Sequence, residues 1–239
     1  MPTSGRDGVV ASVRSPLALK PTLVLLAALL LVTVVFFGAV VLGIMVVPGV
    51  REVAVPVLAG TLFGHAAVML LVLHLGLRRA GSGWRAIGFH RPTPRILHLL
   101  WQVPVIFLLL AAVQGLAFAL TGEVASSGDA VDSLLLGVGP LLAAASFIGI
   151  ALLTPIWEEV VFRALVYGGF RRRFVPIAAA LLSAALFAAF HGVPILLPYM
   201  LTLGLALAYL REFHTTLWAP IVMHVTLNAL VTGVALLAL

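Results

Sequence analysis

Three short patterns set polar side chains with acid–base chemistry into an otherwise apolar chain. Glu158, Glu159 and Arg163 lie in Thr154-Pro-Ile-Trp-Glu-Glu-Val-Val-Phe-Arg163, His191 closes Phe187-Ala-Ala-Phe-His191, and His224 and Asn228 frame His224-Val-Thr-Leu-Asn228. The carboxylates can take a proton from water, the imidazoles can orient or relay it, and the carboxamide can donate to developing negative charge. Neighbouring helical residues are about 100° apart, so Glu158 and Glu159 cannot share one helix face, whereas Glu159 and Arg163, four apart, can. This spacing predicts an ion pair from Glu159 to Arg163 and leaves Glu158 pointing elsewhere as the general base. Burial and nearby cations then act in opposite directions on its proton affinity.

The surroundings make these charges informative. Of 239 residues, 63% are hydrophobic and 9% charged, against about 25% charged in an average soluble domain. An all-α, polytopic membrane protein of about seven transmembrane helices follows. An ionisable group at membrane depth costs about 2.5–3.5 kcal/mol, so three in one run require partners or a function. The net charge of +6 sits in clusters between apolar runs, which marks topology rather than a nucleic-acid surface. The absence of cysteine excludes disulfides, thiolate metal ligands and a thiol nucleophile.

Residues 1–20 read as a short, mobile, basic cytoplasmic tail, and residues 21–239 as one membrane-embedded domain with the polar patterns in 154–228. The apolar run 21–47 is too long for a signal-peptide core and is expected to be a retained first helix. Further spans are expected over 53–77, 96–120, a fourth ending at 170, 175–191, 194–210 and 217 to the C-terminus. The run 134–170 is too long for one crossing, so Gly137, Gly139 and Pro140 should separate a short lead-in from the fourth span. The arginine-rich loop 78–95, Arg171 to Arg173, and a turn made by Arg211, Glu212 and His214 put the basic clusters on one side, with the N-terminus cytoplasmic and the C-terminus outside. The acidic loop 121–133, carrying Glu123, Asp129 and Asp132, belongs outside. In the second span Gly60 and Gly64 form a small-xxx-small pattern for close helix approach, and His65 and His74 read as packing residues. At about 1.5 Å per residue Glu158 lies about 15 Å deep, His191 about 24 Å, His224 about 10 Å and Asn228 about 16 Å. Polar groups at such depths on three helices can meet around one cavity.

Taken together, Glu158-Glu159-x-x-x-Arg163, Phe187-x-x-x-His191 and His224-x-x-x-Asn228 resemble the three motifs of the CPBP family, the CAAX-protease and bacteriocin-processing (Abi) intramembrane proteases. Trp84-Arg-Ala-Ile-Gly-Phe89 and Leu217-Trp-Ala-Pro220 look like that family too. The resemblance implies a multi-pass cell-membrane endopeptidase, similar to type II CAAX prenyl proteases, acting on a membrane-associated or lipidated peptide, CAAX-type or bacteriocin-like. Its partners would be lipid and substrate, without nucleic acid. It further implies that Glu158 activates the attacking water with help from His191, that Glu159 and Arg163 organise the site, and that His224 and Asn228 stabilise the oxyanion. No cofactor is expected. The alternative is a zinc ion held by His191, His224 and Glu158, a legitimate catalytic set that lacks a His-Glu-x-x-His helix. Other readings are a proton-coupled transporter, which predicts repeat symmetry not evident in the chain, and a non-catalytic immunity or scaffold membrane protein.

Overall fold

The computed structural model describes residues 13–122 and 139–237, which form helices and turns with no strand among them. The long helices are α1 (Leu19–Val46), α2 (Ala54–Arg79), α4 (Leu99–Thr121), α5 (Pro140–Phe170), α6 (Pro176–His191), α7 (Leu197–His214) and α8 (Trp218–Leu237), and α3 (Trp84–Ile87) is a single turn. Among the described residues five helical stretches are long and apolar enough to cross a bilayer, and α6 and most of α8 are shorter apolar helices. The chain is therefore a multi-pass helical membrane protein. Apolar residues facing lipid need no protein cover, which is why α1 packs mainly on α2 and leaves Leu30, Leu31 and Val34 exposed. α5 packs against α2, α6 and α8, so the helix carrying both glutamates is the best-covered one.

Gly139 precedes Pro140 at the first turn of α5, where proline is tolerated because that amide needs no helical acceptor. Gly137 and the acidic residues Glu123, Asp129 and Asp132 lie outside the described residues. α5 is still 31 residues long, about 46 Å of helix at α-helical rise. Two stretches of it, Ile148–Leu153 and Val160–Tyr167, are wound as π-helix.

Three expectations are corrected. The sixth span does not end at Leu210 with Arg211, Glu212 and His214 in a turn, because α7 continues to His214 and the turn is Thr215 to Leu217. Arg211 stays inside the protein because its guanidinium donates to the carbonyls of Ile87 (3.1 Å) and Thr215. The Gly88 carbonyl in turn accepts from the Thr216 hydroxyl and the Leu217 amide, each at 3.0 Å, so the Trp84–Phe89 segment is locked onto the α7–α8 turn. Residues 13–18 are not a loose tail. Ser15 and Leu17 are buried, the Ser15 amide donates to Gly168 O at 2.9 Å, and Arg172 donates to Leu17 O at 2.6 Å. Carbonyls at the end of α5 and in the strap itself find partners this way. Residues 1–12 lie outside the described residues.

The third correction concerns helix approach. Cβ atoms added at Gly60 and Gly64 would meet only side-chain atoms at 3.5 Å, whereas one at Gly149 would lie 2.8 Å from both Cα and N of Phe63. Gly149, not the Gly60/Gly64 pair, sets the α2–α5 crossing. Gly149→Ala is expected to destabilise the fold by about 1–3 kcal/mol through overpacking against backbone. Gly115→Ala, with nothing within 4 Å, should leave the thermal midpoint of detergent-solubilised protein unchanged and serves as the comparison.

The basic segments meet at one end of the bundle. Arg171 forks onto the Glu212 carboxylate at 3.1 and 2.9 Å, and the Tyr167 hydroxyl donates to the same carboxylate at 2.6 Å. His65 and His74 pack as expected. His65 shares a 3.1 Å hydrogen bond with Thr33 and an edge contact with Trp157, and His74 accepts from the Trp84 indole at 3.0 Å.

Candidate active site

The glutamates sit on a short α-helical stretch, Thr154–Glu159, between the two π-wound segments of α5. Its first turn shows how the change of winding is handled. The Thr154 amide donates to Gly149 O and Pro155 has no N–H. The Ile150 carbonyl, lying between them, therefore lacks the donor that either an α-turn or a π-turn supplies. Asn228 of α8 fills that gap, its carboxamide N–H donating to Ile150 O at 3.1 Å.

Arg163 is held at the other end of the stretch. Its Nε is 3.2 Å from Glu159 Oε2, with the two side chains 1% and 0% exposed. The geometry is a charge contact rather than an aligned hydrogen bond, since neither atom has a hydrogen-bond partner. Nη2 lies 3.4 Å from Gly204 O, and the guanidinium stacks over Phe187 with its carbon 4.6 Å from the ring centroid. A Cβ at Gly204 would come within 2.9 Å of Ala184 Cα, so this glycine lets α7 close on α6 beside the arginine. An ion pair without water is tolerated only when both partners find further support. Here the guanidinium has a carbonyl and an aromatic face, and the carboxylate has a histidine.

That histidine is His224. Its Nδ1 is 2.9 Å from Glu159 Oε1 and its Nε2 is 3.7 Å from Glu158 Oε2. Glu158 is thus not turned away from the Glu159 cluster, as the helical angle between them suggested. An imidazole has nitrogens on two edges, and a ring placed on the bisector of two residues about 100° apart reaches both. With Nδ1–H committed to the Glu159 carboxylate, Nε2 can donate to Glu158 only when the ring is protonated, and can accept from it only when Glu158 is protonated.

His191 ends α6, and its Nδ1–H donates to Phe187 O at 2.8 Å. The neutral ring therefore presents Nε2 as an acceptor. It stacks against Phe187 (4.6 Å between centroids), whose ring also meets His224 at 6.0 Å. Glu158, Glu159, Arg163 and His224 are directly joined, His191 stands beside them across Phe187, and Asn228 reaches α5 through a backbone carbonyl. His191, His224 and Glu158 are not gathered as a metal cage, and among the described residues no group of three or more His, Cys, Asp or Glu is.

Residues 140–230, which contain all six of these positions, match the family described as "Type II CAAX prenyl endopeptidase Rce1-like". The match covers less than half of the chain, and this region is similar to that family. The resemblance seen in the three motifs is borne out by this match. The chain is also 25% identical over 141 residues to the "Putative membrane peptidase YdiL" of Bacillus subtilis (strain 168), covering 56% of this chain and 55% of that protein. It thus spans about half the length of the curated relative it matches. No solved structure matches.

Two contributors have no polar side chain to announce them. Phe187 enters the sequence only as the first position of Phe187-x-x-x-His191, and its place four residues before the histidine puts ring and carbonyl on the same helix face. Gly204 carried no signal at all, because its carbonyl meets Arg163 from 41 positions away.

Proposed function

We propose that the protein is an intramembrane endopeptidase that hydrolyses a peptide bond in a membrane-associated peptide, with water activated by Glu158. The observation that carries this is one imidazole, His224, held between two buried carboxylates, one of them neutralised by Arg163. A purely structural ion pair needs only Glu159 and Arg163. The second carboxylate, Glu158, beside His224 Nε2 at 3.7 Å, adds a base next to an ion pair that does not need it. The family match and the peptidase relative point the same way.

In this reading Glu158 removes a proton from water as its oxygen bonds to the scissile carbonyl carbon, and His191 orients that water through Nε2. The oxyanion is met by His224 Nε2–H in its protonated form and by the second N–H of Asn228. The proton gained by Glu158 then passes to the leaving amine as the C–N bond breaks, which leaves a free amino group and a new carboxylic acid whose remaining proton is released to Glu158 or solvent as it ionises. Glu159 accepts from Nδ1–H of His224 and so fixes the ring, and Arg163 lies against the other Glu159 oxygen. The basic end of the bundle faces the cytoplasm of a cell membrane.

The substrate class is a lipidated C-terminal peptide of CAAX type. The experiment is cleavage of two internally quenched peptides in proteoliposomes, one with a farnesylated CAAX box and one identical but unprenylated. Cleavage of the prenylated probe alone is expected. Failure of both, or equal cleavage by an enzyme lacking the Glu158 carboxylate, would overturn the assignment. Because no step uses a metal, turnover is expected to survive 1,10-phenanthroline and to gain nothing from added zinc. Loss of activity with chelator and its return with zinc, alongside a stoichiometric bound metal in elemental analysis, would contradict this part.

A further inference from the structure

The α-helical stretch bearing both glutamates is bounded on each side by π-wound backbone, and each π segment has one carbonyl taken up by a side chain from another helix. At the first it is Asn228 of α8 on Ile150 O, where Pro155 leaves that carbonyl without an amide. At the second it is Ser183 of α6, whose hydroxyl donates to Phe162 O at 3.0 Å. Ser183 is 1% exposed, and its hydroxyl donates across to another helix rather than to the carbonyl four residues back on its own, a common outlet for a serine in a helix. It lies one residue before Ala184, the point where Gly204 of α7 closes in. The carbonyl it holds belongs to the residue immediately before Arg163.

We propose that Ser183 is a positioning residue for the reaction, a role that rests on the endopeptidase reading above. Its hydroxyl fixes the backbone at Phe162, which sets the reach of Arg163 to Glu159 Oε2, and Glu159 Oε1 in turn fixes the His224 ring that faces Glu158. The chain of contacts is Ser183, Phe162 O, Arg163, Glu159, His224, Glu158. A π-wound segment has looser backbone bonding than an α-helix and is commonly found at functional sites, so a cross-helix donor there determines where the following side chain points. Asn228 does the same work at the other end. Ser183 touches neither substrate nor the reacting atoms and acts only through the ion pair.

The test is Ser183→Ala, nearly isosteric and lacking only the donor, beside Ser183→Thr, which restores it. Both are compared with wild type and Glu158→Gln in proteoliposomes on the farnesylated quenched peptide. Loss of one hydrogen bond corresponds to about tenfold in rate. Ser183→Ala is expected to lower kcat about tenfold with KM within twofold, to shift the pH–kcat profile, and to raise deuterium exchange in peptides spanning residues 158–167. Ser183→Thr should recover most of kcat. A Ser183→Ala enzyme with wild-type kcat and pH profile, one whose loss lies in KM, or one whose loss Thr does not rescue would each overturn the role. If any of these occurs while Glu158→Gln is inactive, the endopeptidase reading stands and only the Ser183 role falls. If wild type and Glu158→Gln cleave alike, both fall.

Discussion

Glu158→Gln is expected to lower kcat by about 10²–10⁴-fold, the usual contribution of a positioned general base, with KM for the farnesylated peptide within about threefold. The substitution keeps volume and polarity and removes only the ability to take a proton. Among the described residues Glu158 makes no ion pair with an arginine, and its contact with His224 is 3.7 Å, so the fold should not suffer and the thermal midpoint should hold. Glu159→Gln is expected to behave differently. It removes the charge opposite a buried Arg163 and turns one of the two side-chain oxygens into an N–H donor that must face either Arg163 or His224 Nδ1–H, so activity and midpoint should both fall. Stopped and steady-state cleavage assays with thermal unfolding on the same preparations separate the base from the organiser. The assignment of roles is wrong if the two variants lose stability equally or if Glu159→Gln is the better folded of the two.

Arg163→Met is expected to be the most damaging single change to stability. It leaves Glu159, 0% exposed, as a buried carboxylate whose only remaining charged support is a histidine, and breaking one side of a buried pair typically costs about 3–5 kcal/mol. The double variant Glu159→Gln/Arg163→Met removes both charges and should regain most of the lost midpoint without regaining activity, since His224 Nδ1 no longer meets a carboxylate. Recovery of stability without turnover distinguishes an organising pair from a merely structural one. A double variant as unstable as Arg163→Met alone would show that Arg163 acts through Gly204 O and Phe187 rather than through Glu159.

The Glu159–Arg163 pair was legible in the sequence because it depends only on a four-residue spacing within one helix, and helix number followed from the length and spacing of apolar runs. What involved two helices was less so. That His224 would touch both glutamates could not come from helical angles alone, since it depends on where α8 lies over α5. Arg211 and His214 looked like the end of a helix because charges usually mark one. Their actual partners are carbonyls of Ile87 and Thr215 for the arginine and the Gln102 carboxamide oxygen, at 2.8 Å, for the histidine. Two of these acceptors come from loop or helix more than a hundred positions away, so nothing local announces them. Gly60 and Gly64 carried the familiar spacing, yet the tight crossing falls at Gly149, because a pattern of small residues does not say which neighbour will use it. The π winding on either side of Thr154–Glu159 had one visible cue in Pro155, whose missing amide is met by Asn228.

The most direct test is mass spectrometry of the products formed in ¹⁸O-labelled water, with excess enzyme over farnesylated peptide so that each site turns over once, in the presence of chelator. The account predicts that wild type yields a peptide with one ¹⁸O in its new carboxylate on the first turnover and that Glu158→Gln yields no product. Product lacking the label would mean that an enzyme oxygen attacked first, and equal product from the two proteins would mean that Glu158 is not the base.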